Sequence, residues 1–194
     1  MTPLLEPFLA STAVVALAEI GDKTMLLAIV LAARLRAPWQ ILAGILVATL
    51  ANHALAALVG REVAGLLDAP WFRMAVALGF IAMAAWTLVP DKLDDDEGEF
   101  KRRGSAFLTT AVAFFLVEMG DKTQIATIAL GAQYQAVLAV TAGTTLGMML
   151  ANAPAVFLGE ELVKRISLKA TRVAAAGLFL ALGLWQLAEL AGWL

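Results

Sequence analysis

The sequence predicts an all-α membrane protein whose six transmembrane helices form two inverted three-helix repeats. Three observations predict it. The chain is 61% hydrophobic and only 15% charged, with a mean hydropathy of +0.84, against roughly 25% charged residues in a soluble domain. Six apolar segments approach the length of about 20 residues that a helix needs to cross a bilayer. The hexapeptide Glu19-Ile20-Gly21-Asp22-Lys23-Thr24 returns 99 residues later as Glu118-Met119-Gly120-Asp121-Lys122-Thr123. The apolar runs are continuous rather than alternating, which excludes a membrane β-barrel.

The expected spans, in chain order, are Phe8–Ala33, Trp39–Gly60, Trp71–Val89, Ala106–Gly131, Gln135–Gly159 and Val173–Trp193. Pro70 and Pro90 bound the third. The tripeptide Ala16-Leu17-Ala18 resembles a signal-cleavage site, but no Lys or Arg precedes it, and a secretory n-region needs them. The first span is therefore expected to be retained. The absence of cysteine excludes disulfides and thiolate metal ligands.

The repeat extends past the hexapeptide. Gly44 matches Gly143, Gly60 matches Gly159 and Trp86 matches Trp185 at the same offset, while Leu50-Ala51-Asn52 matches Leu150-Ala151-Asn152 with a slip of one residue. Residues 1–90 and 105–194 thus read as two copies of one three-helix unit, joined by a charged linker at 91–104. Three spans per unit is an odd number, so the second copy enters from the opposite face of the membrane. Many secondary transporters are built this way, with the substrate site near the midplane between the halves.

Basic residues set the orientation. Arg34, Arg36, Lys92, Lys101, Arg102, Arg103, Lys164, Arg165, Lys169 and Arg172 fall on one side, and only Arg61 and Arg73 on the other. The positive-inside rule then puts the linker in the cytoplasm and both termini outside. The linker segment Asp94-Asp95-Asp96-Glu97-Gly98-Glu99 reads as a solvated loop or as a cation-collecting one. It does not match the calcium-loop template.

Each hexapeptide puts two carboxylates and an ammonium in the middle of a span. A charge at the bilayer centre costs about 3 kcal/mol on insertion scales, so six would cost on the order of 18 kcal/mol if simply added. Pairing must offset most of that, and the default reading is an ion or proton site. On a continuous helix, Glu19 and Asp22 share a face, as do Glu118 and Asp121. Facing one another, these four carboxylates make a cage of hard oxygen ligands suited to Ca, Mg or Mn. Gly21 and Gly120 allow close helix approach or local unwinding. Thr24 and Thr123 either add oxygen ligands or bond back to their helices. Lys23 and Lys122 either pair with Glu19 and Glu118 one turn away or act as tethered cations that fill the cage when substrate is absent. Four carboxylates and two lysines leave a charge of −2. One divalent cation neutralises that charge, and so do two protons.

Further polar residues lie at membrane depth. Asn52 and Asn152 are site residues or helix glue. Gln124, which corresponds to Met25, is a further candidate ligand. His53 has Ala153 as its counterpart and reads as a packing histidine or a proton relay. Glu189 reads as interfacial, and Thr144-Thr145 as packing.

Two copies of Glu-x-Gly-Asp-Lys-Thr in a six-helix chain of this length resemble the calcium:cation antiporter-2 family, also called uncharacterised protein family 0016. That family includes bacterial manganese exporters and Golgi manganese/calcium transporters. The resemblance covers nearly the whole chain, and both copies conform to the pattern Glu-x-Gly-Asp-Lys/Arg-Thr/Ser. It implies a transporter rather than an enzyme, with no cofactor, that exports Mn2+ or Ca2+ in exchange for protons through Glu19, Asp22, Glu118 and Asp121. For a short bacterial-type chain it favours manganese efflux across the inner membrane. The expected partners are a divalent ion, protons and membrane lipid, with no nucleic acid. The alternative class is an exporter of an amino acid or small organic cation, which would need apolar room beside the carboxylates.

Overall fold

A computed structural model of the chain describes residues 4–65, 69–90, 104–159, 161 and 167–193. Among these residues there are eight α-helices and no strands. The helices are α1 (Leu5–Glu19), α2 (Lys23–Leu35), α3 (Pro38–Val63), α4 (Pro70–Thr87), α5 (Ala106–Glu118), α6 (Lys122–Tyr134), α7 (Val137–Leu158) and α8 (Leu168–Leu190). Four of them, α3, α4, α7 and α8, are long and apolar enough to cross a membrane alone. The linker reading at residues 91–103 lies outside the described residues.

Two of the expected spans are not continuous. The first is divided into α1 and α2, the fourth into α5 and α6, and both breaks fall inside the repeated hexapeptide. The cause is local turn chemistry. Ile20 is extended at φ −66°, ψ 109°, Gly21 has φ +88°, and the Asp22 amide donates to the Glu19 carbonyl at 3.0 Å. That is a type II turn, which needs φ > 0 at its third residue and so favours glycine there. Met119 (φ −65°, ψ 118°), Gly120 (φ +81°) and the Asp121 amide on the Glu118 carbonyl at 3.2 Å repeat it. The last span also differs from expectation. It starts at Leu168 rather than Val173, because the Ser167 hydroxyl accepts from the Ala170 amide and caps the helix there.

The mirrored local structure continues beyond the turns. Arg36 ends α2 in the left-handed conformation, its amide on the Ala32 carbonyl at 3.1 Å, and Gln135 ends α6 the same way on Gly131 at 3.0 Å.

Packing crosses between the halves. α1 lies along α7 and α5 along α3, while α4 packs on α8. Glycine makes the first two crossings possible. A β-carbon on Gly143 would meet the Phe8 carbonyl oxygen at 2.4 Å, and one on Gly44 would meet the Phe107 carbonyl oxygen at 2.8 Å. Phe8 and Phe107 are themselves 99 residues apart. Such small-residue crossings bring backbones close where lipid provides no hydrophobic drive for helices to associate. The core forms around α3 and α7, with Ile41, Ile45, Phe114, Met148 and Val15 fully enclosed. α4 and α8 are peripheral and leave Leu78, Leu180 and Trp185 exposed.

Candidate metal centre

The two helix breaks deliver the repeated carboxylates to the interior. Glu19 closes α1 and Asp22 stands at the N-cap of α2. Glu118 closes α5 and Asp121 stands at the N-cap of α6. All four are buried. Neither aspartate closes its helix with a side-chain cap of the usual kind. The C-terminal ends of α1 and α5 add partial negative charge to the same region.

Three of the four carboxylates converge. Oxygens of Glu19, Asp22 and Asp121 all lie within 4.8 Å of one another. Glu118 is not part of this convergence. It stands near enough to act electrostatically on Glu19 and Asp121, and its Oε1 lies 3.7 Å from His53 Nε2. The expected four-membered cage is therefore a trio drawn from both halves, with Glu118 beside it. Sharing a helical face does not bring Glu19 to Asp22, since the helix is broken between them; the turn does.

The lysines also depart from expectation. An i, i+4 pair within each signature requires an unbroken helix, and the turn removes it. Instead the ammonium groups cross between halves. Lys122 Nζ lies 3.0 Å from Asp22 Oδ1, with both side chains almost fully enclosed. Lys23 Nζ lies 4.0 Å from Asp121 Oδ1 and is 20% exposed. Lys122 also sits 5.9 Å from the centre of the Trp86 ring, within range of a cation–π attraction.

The threonine hydroxyls turn to carboxylates. The Thr24 hydroxyl donates to Glu19 and the Thr123 hydroxyl to Glu118, each fixing one carboxylate oxygen across the turn. The second oxygens, Glu19 Oε1 and Glu118 Oε2, have no hydrogen-bond partner among the described residues, and neither has Asp121 Oδ2. Buried carboxylate oxygens are almost always satisfied, so these are oriented oxygens with capacity for a cation.

The remaining candidates separate. Gln124 Oε1 accepts from the Gly120 amide at 2.7 Å and stabilises the second turn. Asn52 Nδ2 donates to the Phe115 carbonyl at 3.0 Å and ties α3 to α5. Asn152 Nδ2 donates to the Met148 carbonyl at 3.1 Å within its own helix, and its Oδ1 has no hydrogen-bond partner among the described residues. Thr144 bonds back to Val140 and Met25 is fully buried, as packing residues are. Glu189 is held by Arg73 and by the Trp185 indole.

His53, read from the sequence as a packing histidine or a proton relay, stands beside Glu118. Sequence reasoning missed one neighbour of the site. Thr171, whose hydroxyl donates to the Ile20 carbonyl at 3.3 Å, lay in a stretch read as loop.

Comparison with known proteins bears on the same residues. The family model described as divalent cation/proton antiporter GDT1 matches residues 7–95 and 106–193. A Vibrio cholerae protein named "Putative manganese exporter" is 50% identical over 175 residues, 90% of this chain and 86% of that protein. GDT1-like protein 5 of Arabidopsis thaliana is 30% identical over 96% of this chain and 97% of its own length. GDT1-like protein sll0615 of Synechocystis is 31% identical over 91% of this chain and 94% of its own. No solved structure gives a significant match. The chain is a membrane transporter rather than an enzyme, its substrate is a divalent cation, and it belongs to the divalent cation/proton antiporter family GDT1.

Proposed function

We propose that this protein exports Mn2+, Ca2+ or both in exchange for protons, by alternating access around Glu19, Asp22, Glu118 and Asp121. The observation that carries the reading is the buried carboxylate trio, built from both signatures at the breaks of two helices. Discontinuous helices that meet near the midplane are the usual ion sites of secondary transporters. In this reading residues 1–90 and 105–194 are inverted three-span repeats, α1–α2 and α5–α6 each forming one broken span, and 91–104 is the cytoplasmic connection. The mirrored turns and the crossed packing of α1 on α7 and α5 on α3 support that arrangement. The excess of Lys and Arg on one side supports an inner-membrane protein with both termini outside.

Charge balance supplies the coupling. The ionised cluster carries −2, and either one divalent cation or two protons brings it to zero. Lys122 and Lys23 are the tethered cations that hold the aspartates between substrate ions. Oxygens within 4.8 Å of one another suit a bare ion and leave little space for an organic side chain, which disfavours the amino-acid exporter. The reading is tested in proteoliposomes. Mn2+ or Ca2+ added on one side drives proton movement with the wild-type protein, while Asp22→Asn and Glu118→Gln insert normally and carry no ion. Wild-type flux in either variant, or metal flux without proton movement, overturns it.

A further inference from the structure

The ion site is not symmetric, and the difference lies at His53. Its counterpart in the second half is Ala153. The imidazole is fully buried, and neither nitrogen has a hydrogen-bond partner among the described residues. Buried polar groups are rarely left so, and the orphaned group lies against Glu118, which stands beside the carboxylate trio: Nε2 is 3.7 Å from Glu118 Oε1. That separation is too long for a hydrogen bond. It is close to the distance between two ligand atoms on one ion, roughly 3–4 Å for bonds of about 2.1–2.4 Å. Oε1 accepts from the Thr123 hydroxyl, and the other Glu118 oxygen, Oε2, has no hydrogen-bond partner among the described residues.

We propose that His53 is a specificity-determining ligand, its Nε2 joining Glu118 to form a nitrogen–oxygen pair beside the carboxylate trio that selects first-row transition cations over alkaline-earth ones. The proposal rests on reading the carboxylates as the ion site. Calcium and magnesium take oxygen ligands, and an all-carboxylate site discriminates poorly between them and Mn2+. A neutral imidazole adds a ligand that transition ions use and alkaline-earth ions do not. Because the nitrogen is present in one half only, the substrate range is set on the Glu118 side.

The test uses the purified full chain and the metals alone. Wild-type protein loaded with Mn2+ shows 14N modulation from a directly bound imidazole in pulsed electron paramagnetic resonance, and His53→Ala loses it. Direct titration shows Mn2+ affinity falling at least tenfold in His53→Ala while Ca2+ affinity changes less than twofold; His53→Gln, which keeps the volume better, behaves alike. The proposal is overturned if the wild-type spectrum carries no nitrogen signal, or if Mn2+ and Ca2+ weaken by the same factor. The wild-type spectrum decides the matter even where a variant fails to fold. Failure of the underlying site would look different: no divalent ion would bind wild-type protein, or Asp22→Asn and Asp121→Asn would bind as wild type does.

Discussion

Replacing Lys122 with methionine removes the ammonium that stands 3.0 Å from Asp22 Oδ1 in a nearly dry environment. Removing one member of a buried ion pair costs about 3–5 kcal/mol, because the remaining charge is left uncompensated. Here the deficit is aggravated, since the cluster already carries more carboxylates than lysines. For a chain of this size about 2–4 °C of melting temperature follows each kcal/mol, so Lys122→Met should melt roughly 10 °C lower in detergent. Asp22→Asn should cost less. Lys122 then faces a neutral amide oxygen instead of a carboxylate, but the Asp121 charge still acts on it, and repulsion among the carboxylates falls. The double variant Asp22→Asn/Lys122→Met should recover most of the stability lost by Lys122→Met alone, yet transport nothing. Lys23→Met is the internal comparison. Its ammonium is 4.0 Å from Asp121 and partly exposed, so solvent screening reduces its contribution, and the loss should be roughly 1 kcal/mol. Scanning fluorimetry of the four variants measures all of this. If the double variant is no more stable than Lys122→Met, or if Lys23→Met is as damaging as Lys122→Met, the crossed pairing is not what holds the cluster together.

Other expectations follow from the same geometry. Gly21→Ala should destabilise more than Gly120→Ala: both positions have φ above +80°, but only at Gly21 does the added carbon also meet Leu168, at 2.9 Å. The backbone strain alone is on the order of 1–2 kcal/mol, and melting temperatures in detergent give the order. Gly143→Ala drives a carbon to 2.4 Å from the Phe8 carbonyl oxygen and should abolish stable folding, whereas Gly79→Ala meets nothing within 4 Å among the described residues and should express and melt like wild type. Thr123→Val removes the hydroxyl that orients Glu118 and should weaken ion binding about tenfold with little loss of expression, as supporting-shell changes do; calorimetric titration of Mn2+ checks it.

The long apolar spans were legible because bilayer length and hydropathy act on composition alone, and α3, α4 and α7 begin and end within a few residues of expectation. The breaks in the first and fourth spans were half legible. Gly21 and Gly120 offered local unwinding or close helix approach, and the structure has the turns, because glycine at φ > 0 followed by an aspartate at the next helix start suits a type II turn. That these four carboxylates need an enclosed setting was legible because charge at membrane depth is costly wherever it occurs, and all four are buried. Their partners were not, since an i, i+4 rule presumes an unbroken helix, and the lysines reach across to residues a hundred positions away. His53 was legible only as a choice between packing and a proton relay: a lone histidine among alanines and leucines does not show that the fold brings Glu118 to it.

Among the described residues, the seal over the first turn has no twin. Thr171 holds the Ile20 carbonyl and Leu168 crowds Gly21, while no described residue would touch a β-carbon at Gly120. At the repeat offset the corresponding residues are Phe72 and Ala69, which offer neither a hydroxyl nor a branched chain of that reach. A carrier with such unlike latches would rest unequally between its two orientations. Its slow step would then depend on which way it must turn, and forward and reverse exchange would run at different maximal speeds even with matched gradients.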